Sequence, residues 1–198
     1  MSVPFSNLFF LLAAYLAGCF NTGYYLFKWL RADDVRKQGS GATGATNVSR
    51  ELGRSGFIVT FLGDFLKGAL VVMSARWLGL GEGWLFASMV AVVAGHIWPV
   101  QLHFRGGKGV ATTLGVVAFY DVYLLLGIGT IFLLLYILTR YYTLSGLTTF
   151  VLTPVLPLYF DYSLAAFSTI LLIMLMITWA QRDNIREVIA VLRERDTR

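Results

Sequence analysis

The sequence predicts an all-α, polytopic integral membrane protein with seven transmembrane helices, its N-terminus outside and its C-terminus cytoplasmic. Two observations carry this prediction. Of 198 residues, 57% are hydrophobic and 14% are charged, and the mean hydropathy is +0.69. The apolar residues also come in long runs rather than at amphipathic spacing, as spanning helices require. So short a chain leaves no room for an appended soluble domain, and we expect one transmembrane domain over residues 1–198.

The apolar runs and the breaks between them define the predicted spans. They lie at about residues 5–27, 56–78, 84–103, 110–120, 122–139, 146–160 and 163–180. The fourth and fifth divide one long run at Asp121, which Tyr120 and Tyr123 flank as interfacial anchors would. The fourth span reaches only ~16 Å, so we expect it to begin deep in the protein or to tilt. Pro154 and Pro157 are expected to bend the sixth span.

The basic residues orient these spans. Fourteen of the sixteen Lys and Arg fall in segments 28–54, 104–109, 140 and 182–198. A seven-span chain places all four segments on one side, which the positive-inside rule makes the cytoplasm. A six-span alternative, with residues 110–139 as one helix, would put Arg140 and Ser145 on the other side. Topology therefore explains the net charge of +5, and we expect no nucleic-acid partner.

The stretch Gly39–Arg50 is the most polar part of the chain, and we call it the first loop. Its glycines let backbone N–H groups approach an anion closely, and the Arg50 fork fits phosphate oxygens. A flexible linker is the alternative, but a linker has no need of an Asn and an Arg at its end. The predicted phosphate ligands are Ser40, Gly41, Thr43, Thr46, Asn47 and Arg50.

The stretch Gly95–Thr112, which we call the second loop, contains Arg-Gly-Gly-Lys-Gly immediately before the fourth span. A helix N-terminus beside a Lys is a favourable phosphate site. An ordinary positive-inside loop explains this motif equally well when it is considered alone. The predicted ligands are Arg105, Gly106, Gly107, Lys108 and Thr112. Two phosphate-binding loops on one side indicate a reaction that joins two phosphorylated molecules.

Asp64, Lys67 and His96 are ionisable residues inside predicted spans. Asp64 and Lys67 are three residues apart on one helix face, where they either pair for structure or let Lys67 add positive charge to the pocket. The unperturbed pKa of a histidine suits a general base, so His96 is a candidate, although a lone His on a span is as often a packed hydrogen-bond donor.

Two polar residues near the later breaks complete the candidate site. Ser145 could bind an anion or cap the sixth span, and Asn184 could face the site or solvent. The sequence has neither a nucleophile elbow nor a metal-binding motif, so we expect no metal and no cofactor. Catalysis would then depend on positioning and charge neutralisation.

Gly39–Arg50, Gly95–Thr112, Ser145 and Asn184-Ile185 together resemble the PlsY family of bacterial membrane glycerol-3-phosphate acyltransferases. The resemblance implies transfer of a fatty acyl group from acyl phosphate to the 1-hydroxyl of sn-glycerol 3-phosphate. The products would be lysophosphatidic acid and inorganic phosphate, in the first step of phospholipid synthesis. It also implies no covalent acyl-enzyme, with the donor phosphate taking the proton. We expect the catalytic residues to be Ser40, Arg50, His96, Lys108 and Asn184.

The same resemblance implies a location in the bacterial inner membrane, with the active site facing the cytoplasm and coupling to the enzyme that forms acyl phosphate. The sequence departs from the family pattern at Gln181, where a His is common, and in the tail Val191–Arg195, which lacks Gly-Thr-Glu. The alternatives are a transporter of a phosphorylated solute and a lipid phosphatase. A phosphatidyltransferase is disfavoured because its metal-binding aspartates are missing.

Overall fold

The structure, a computed structural model, describes the backbone of residues 5–196 and the side chains of residues 5–190. Within these residues it contains helices and no strands. The chain divides into two compact units, Met1–Asp121 and Val122–Arg198, and each is described by itself. The prediction of one domain over the whole chain stays a prediction.

The first unit contains five α-helices and two short 3-10 helices. The α-helices are α1 Phe5–Cys19, α2 Thr22–Arg31, α3 Ala45–Trp77, α4 Glu82–Ile97 and α5 Val110–Tyr120. The 3-10 helices are Val35–Lys37 in the approach to the first loop and Val100–Leu102 within the second loop. Helix α1 packs along α4, and α3 packs along α5.

The α3–α5 crossing is close because each helix contributes a glycine. A Cβ on Gly68 would collide with the carbonyl of Thr112, and one on Gly115 would collide with the carbonyl of Phe65. The first turn of α5 therefore lies beside Gly68, in the middle of the apolar part of α3. The expectation that the short fourth span begins deep in the protein is confirmed. The α1–α4 crossing has a similar pair, Gly18 and Gly95.

The second unit contains the remaining helices. They are α6 Val122–Thr139, α7 Tyr142–Leu152, α8 Val155–Tyr159, α9 Leu164–Ala180 and α10 Arg182–Asp196. Helix α7 packs against α6 and α9, and α10 packs against α7 and α9.

Several predicted spans differ from the observed helices. The first span is broken between α1 and α2, which are bent by 41°, because the polar Asn21 interrupts the apolar run. The sixth is divided into α7 and α8 near Pro154, as its prolines predicted. The charged tail forms helix α10, bent by 61° from α9, where the sequence indicated no helix. The division of residues 110–139 into two helices at Asp121 is confirmed.

The number of membrane crossings stays a prediction. Three helices in the described residues are long and apolar enough to cross a membrane, or up to five segments if each bent pair counts as one span. Helices α5 and α7 are apolar but shorter. The orientation of the termini is likewise an expectation.

Arg76, a basic residue outside the four basic segments, has a structural task. Its guanidinium donates to the carbonyl of Phe119 at 2.9 Å and to that of Tyr120 at 2.6 Å. These are carbonyls of the last turn of α5, which lack partners within the helix. Arg76 therefore caps α5, which accounts for a basic side chain at this end of α3.

Candidate functional site

The first loop is shaped by the buried side chain of Asn47. Its Oδ1 accepts a hydrogen bond from the N–H of Ser40 at 2.9 Å. Its Nδ2 donates to three carbonyls at 2.9–3.1 Å, those of Val35, Gln38 and Ala42. The amide is thus engaged by the backbone of the loop and of the segment that precedes it. This geometry makes Asn47 the residue that holds the loop in shape, and its direct contact with a phosphate stays a prediction.

The outward surface of the first loop carries the groups suited to an anion. Ser40, Gly41, Thr46 and Arg50 are exposed. Helix α3 already begins at Ala45, so Thr46 and Arg50 stand on its first turns rather than on an irregular loop. The N-terminus of a helix carries partial positive charge and free N–H groups. The first loop therefore offers exposed hydroxyls, an exposed guanidinium and a helix N-terminus within twelve residues of the chain.

Gly39 lets the Arg50 side chain lie close over the loop. Its φ is +50°, and a Cβ there would lie 2.6 Å from Nη1 of Arg50 and would collide with Oδ1 of Asn47. A residue with a side chain would displace the guanidinium. The glycine at this position therefore sets where the Arg50 fork is presented.

Thr43 joins the first loop to two other parts of the unit. It is fully buried, and its hydroxyl donates to Oδ1 of Asn21. Its backbone N–H donates to the carbonyl of Gly106 in the second loop at 3.3 Å. The two glycine-rich loops are therefore direct neighbours. Thr43, predicted to bind phosphate, instead has its side chain committed to Asn21.

A second link between the loops comes from Arg36. Its Nη1 donates to the carbonyl of Leu102 at 2.8 Å, while its guanidinium is also paired with Asp34 at 2.7 Å. The hydrogen bonds from Arg36 hold the pKa of Asp34 below its ordinary value. The segment that precedes the first loop is thus fixed to the second loop by the hydrogen bond from Arg36, whose guanidinium Asp34 holds in place.

The second loop differs from the predicted cradle because its glycine amides are already used. The N–H of Gly106 donates to the carbonyl of Ile97 at 3.1 Å, and that of Gly107 donates to the carbonyl of His96 at 3.0 Å. These amides satisfy carbonyls at the end of α4. A Cβ on Gly107 would collide with the His96 imidazole. That these two amides hold a phosphate stays a prediction.

The basic side chains of the second loop remain suited to an anion. Arg105 is exposed, and Lys108 is partly exposed just before α5 begins at Val110. Thr112, also a predicted ligand, is fully buried, and its hydroxyl has no hydrogen-bond partner among the described residues. Its carbonyl lies in the α3–α5 crossing, which indicates a packing role.

Lys67 lies at the centre of a buried cluster with Asp64 and His96. Its ammonium donates to Oδ1 of Asp64 at 2.9 Å and to Nδ1 of His96 at 2.8 Å. The carbonyls of Gly18 and Phe20, where α1 ends, also lie within hydrogen-bond distance of the ammonium, at 3.1 and 2.6 Å, so its three N–H groups are shared among four acceptors. Asp64 and Lys67 therefore form the buried pair of the structural alternative. The predicted contribution of Lys67 to a phosphate pocket stays a prediction.

The same cluster surrounds the His96 ring. Nδ1 of His96 lies 2.8 Å from Nζ of Lys67, and the tautomer with the ring proton on Nε2 lets Nδ1 accept from that ammonium. Nε2 faces Gly107 of the second loop. The imidazole is buried, and its basic nitrogen is occupied. This arrangement suits a residue that supports the second loop.

The two later candidates lie in the second unit. Ser145 is buried, and its hydroxyl donates to the carbonyl of Tyr141 at 2.7 Å. Tyr141 is itself the N-cap of α7, so the prediction that Ser145 caps this helix is wrong. Asn184 lies in the first turn of α10 and donates to Oε1 of Gln181 at 2.7 Å. Gln181 therefore orients Asn184.

The sequence analysis missed Asn21 and Arg36. Asn21 was detectable, because it lies inside a long apolar run, where a buried polar side chain is costly and usually has a function. Arg36 gave no such signal, since it lies in a basic segment that the positive-inside rule already explains.

Comparison with known proteins identifies the family. Residues 8–191 match the family model described as glycerol-3-phosphate acyltransferase. The chain is 45% identical over 183 residues to glycerol-3-phosphate acyltransferase 1 of Desulfitobacterium hafniense strain Y51, covering 92% of this chain and 91% of that one. It is 48% identical over 160 residues to the Synechococcus elongatus glycerol-3-phosphate acyltransferase, covering 74% of this chain and 75% of that one.

The fold is also that of a solved membrane protein. The crystal structure of PlsY (YgiH), an integral membrane glycerol 3-phosphate acyltransferase, in its glycerol 3-phosphate form superposes with a TM-score of 0.85 at 33% identity. That comparison covers 93% of this chain and 92% of PlsY. Its lysophosphatidic acid form gives a TM-score of 0.82 at 31% identity. The chain therefore belongs to the PlsY family of membrane glycerol-3-phosphate acyltransferases.

Proposed function

We propose that the protein transfers a fatty acyl group from acyl phosphate to the 1-hydroxyl of sn-glycerol 3-phosphate. The observation that carries this proposal is the hydrogen bond from Thr43 to the Gly106 carbonyl, which places the first loop beside the second loop. Each loop presents a cation, Arg50 in the first and Lys108 in the second. Two adjacent cationic loops suit a reaction between two phosphorylated substrates.

The reaction needs no covalent intermediate. The 1-hydroxyl oxygen of glycerol 3-phosphate attacks the carbonyl carbon of acyl phosphate and forms the ester bond. The bond between that carbon and the phosphate oxygen breaks. The hydroxyl proton passes to the departing phosphate, so the products are lysophosphatidic acid and inorganic phosphate. With Nδ1 of His96 accepting from Lys67, the departing phosphate is a better-placed base than this imidazole.

Charge neutralisation is the main task left to the protein. Two phosphate dianions repel each other strongly when they are brought together away from bulk water. Arg50, Arg105 and Lys108 supply positive charge at the two loops, while Lys67 is committed to its buried cluster. Ser40 and Thr46 add hydroxyl donors on the first loop. Holding the substrates in a near-attack geometry supplies the rest of the rate enhancement.

The names of the relatives support glycerol 3-phosphate as the acceptor and lysophosphatidic acid as the product. PlsY was crystallised in a glycerol 3-phosphate form and in a lysophosphatidic acid form. The second cationic loop supports a donor that carries phosphate, and the resemblance to the PlsY family implies that this donor is acyl phosphate. The protein would then act in phospholipid synthesis in the bacterial inner membrane and draw its donor from the enzyme that forms acyl phosphate.

The test is a donor comparison with purified protein. Labelled glycerol 3-phosphate is incubated with acyl phosphate, acyl-CoA or acyl carrier protein loaded with the same chain. We expect labelled lysophosphatidic acid with acyl phosphate alone, with one inorganic phosphate released per ester. An Arg50→Ala variant serves as the inactive control. Ester formation from acyl-CoA would contradict acyl phosphate as the donor. Release of phosphate without ester formation would indicate a lipid phosphatase.

The proposed topology is tested separately. In a Cys19→Ser background, single cysteines replace Gly44, Lys108 and Asp161. We expect membrane-impermeant reagents to label positions 44 and 108 from the cytoplasm and position 161 from the opposite side. Labelling of 44 and 108 from opposite sides would contradict a single cytoplasmic site.

A further inference from the structure

We propose that the break in the first span, at Phe20 and Asn21, positions the two loops relative to each other for acyl transfer. A closed ring of buried contacts passes from Asn21 through Thr43, the second loop, His96 and Lys67 back to Phe20. In this ring Asn21 acts as a positioning residue. The inference rests on the proposed function for its kinetic consequences, but its structural part can be measured without activity.

One half of the ring runs from the break to the second loop. Asn21 is fully buried, and its Nδ2 donates to the carbonyl of Cys19 at 3.1 Å. Its Oδ1 accepts from the hydroxyl of Thr43. The N–H of Thr43 in turn donates to the carbonyl of Gly106 at 3.3 Å. The unwound turn after α1 is thereby connected to both loops.

The other half returns from the second loop to the break. Gly107 follows Gly106 directly and lies against Nε2 of His96. Nδ1 of His96 accepts from Lys67 at 2.8 Å, and Lys67 also donates to the carbonyl of Phe20 at 2.6 Å. The contact with Phe20 reaches the residue that precedes Asn21, so the ring of contacts is closed.

A continuous first helix would need none of these partners. Interrupting a helix inside a membrane frees backbone groups that cost several kcal/mol each when they are left unsatisfied. Here the freed carbonyls are satisfied by a buried Lys67, which in turn needs Asp64. Buried ionisable groups in spans are themselves costly and are typically retained for function. The break is therefore best explained by what it connects.

Positioning and binding make different kinetic predictions. Asn21 and Thr43 are both fully buried, so neither side chain forms part of the exposed anion-binding surface. Losing their hydrogen bond would leave the exposed groups of each loop in place but would loosen the spacing between the loops. Misplacement of about 1 Å can lower a rate on the order of 10²-fold. We therefore expect the loss in kcat rather than in KM.

The kinetic test compares two substitutions of the same kind. Thr43→Val removes the hydroxyl and keeps the shape. Thr60→Val is the control, because Thr60 is equally buried and its hydroxyl has no hydrogen-bond partner among the described residues. We expect Thr43→Val to lower kcat about 10- to 100-fold with each KM changed less than about threefold. Thr60→Val should match the wild type, and Thr43→Ser should recover most of the lost rate.

The structural test does not depend on activity. Spin labels are attached through Thr46→Cys and Arg105→Cys in a Cys19→Ser background, one on each loop. We expect a narrow distribution of distances between the two labels when Thr43 is present, also in the Thr60→Val control, and a broader distribution in Thr43→Val. An unchanged distribution in Thr43→Val overturns the positioning role, as does a raised KM with kcat intact. Absence of acyl transfer by the wild type, with the distance result as expected, would overturn the proposed function alone.

Discussion

The two glycine-rich loops resemble each other in composition but are built in opposite ways. In the first loop a buried side chain, that of Asn47, holds the backbone, and the exposed surface is left to Ser40, Thr46 and Arg50. In the second loop the backbone amides of Gly106 and Gly107 satisfy the end of α4. Its glycines make room for a buried imidazole and its neighbouring backbone. Glycine next to a cation is therefore no proof that an amide faces a ligand.

The largest effect is expected at Arg50, where the first loop would bind an anion through a side chain. Arg50→Lys keeps the charge but loses the planar fork that can contact two phosphate oxygens. We expect kcat/KM to fall on the order of 10²-fold, as when a preorganised charge is removed from an active site. Steady-state kinetics with both substrates checks this. Arg54→Lys, an exposed substitution four residues further along the chain and just beyond the helix break at Gly53, is the control and should change little.

The role of the second loop is tested by enlarging Gly107 and then removing the His96 ring that it contacts. Gly107→Ala places a Cβ against the imidazole of His96, so we expect a loss of roughly 10- to 100-fold in kcat/KM by displacement of the loop. In Gly107→Ala/His96→Ala the ring is gone, and activity should return to the level of His96→Ala alone. Such non-additivity is typical of residues in contact.

Gly106→Ala provides the matched comparison. A Cβ there would collide with the backbone carbonyl of His96, which His96→Ala leaves in place. The second substitution should therefore not restore Gly106→Ala. The opposite outcome is that Gly107→Ala has the same effect with and without the His96 ring and raises the KM for one substrate only. The backbone amide of residue 107 would then bind that substrate, and the two loops would not differ in the way described.

A smaller effect is expected from His96 alone. Since Nδ1 accepts from Lys67, the ring supports the second loop and does not take the substrate proton. His96→Ala should lower kcat roughly tenfold, while the residual activity keeps the same pH dependence as the wild type. The pH profile of kcat/KM, which reports ionisations of the free enzyme, is the measurement. Disappearance of its acidic limb in the variant would make His96 the base.

The comparison also shows how far the sequence predicts this protein. Helices α5 and α6 were predicted at their observed positions, because Asp121 between two tyrosines is a strong local signal. Arg50 and Ser40 were predicted as candidates from composition, and the structure leaves both exposed. Local patterns of this kind depend on neighbouring residues and are readable from one sequence.

The contacts of the other candidate side chains could not be predicted. Asn47, Thr43 and Lys67 were assigned to phosphate because their chemistry suits it, and the structure shows that each also bonds to groups of the protein itself. Lys67 and Gly18 are far apart in sequence, and no periodicity reports that they meet. Which donors remain available to a ligand is decided by tertiary contacts. A single sequence names the donors but does not say which of them are already used.

A moderate loss of stability is expected from removing the support of the first loop. Asn47→Ala leaves the Ser40 N–H and the carbonyls of Val35, Gln38 and Ala42 without their partner. Unsatisfied buried groups of this kind cost about 1–3 kcal/mol. Thermal unfolding in detergent should show a lowered Tm, together with lost activity. Ser49→Ala, which removes only a hydrogen bond to the Thr46 carbonyl within the same helix, should leave both unchanged.

The smallest effect concerns the link between the loops formed by Asp34 and Arg36. The Arg36 hydrogen bonds hold the pKa of Asp34 below its ordinary value of about 3.9. A carboxyl whose pKa is lower in the folded state stabilises the protein above the ordinary pKa, and this contribution is lost as pH falls through the folded value. The pair is partly exposed, so solvent screening limits its contribution to the free energy of unfolding to below about 1 kcal/mol.

Asp34→Asn should therefore lower Tm slightly at pH 6, and the difference in Tm from the wild type should shrink as the pH is lowered below about 4. Asp183→Asn, at an exposed pair in α10, is the control. A Tm difference for Asp34→Asn that stayed constant from pH 6 to pH 3 would show that the charge of the Asp34 carboxylate is not the source of the stabilisation.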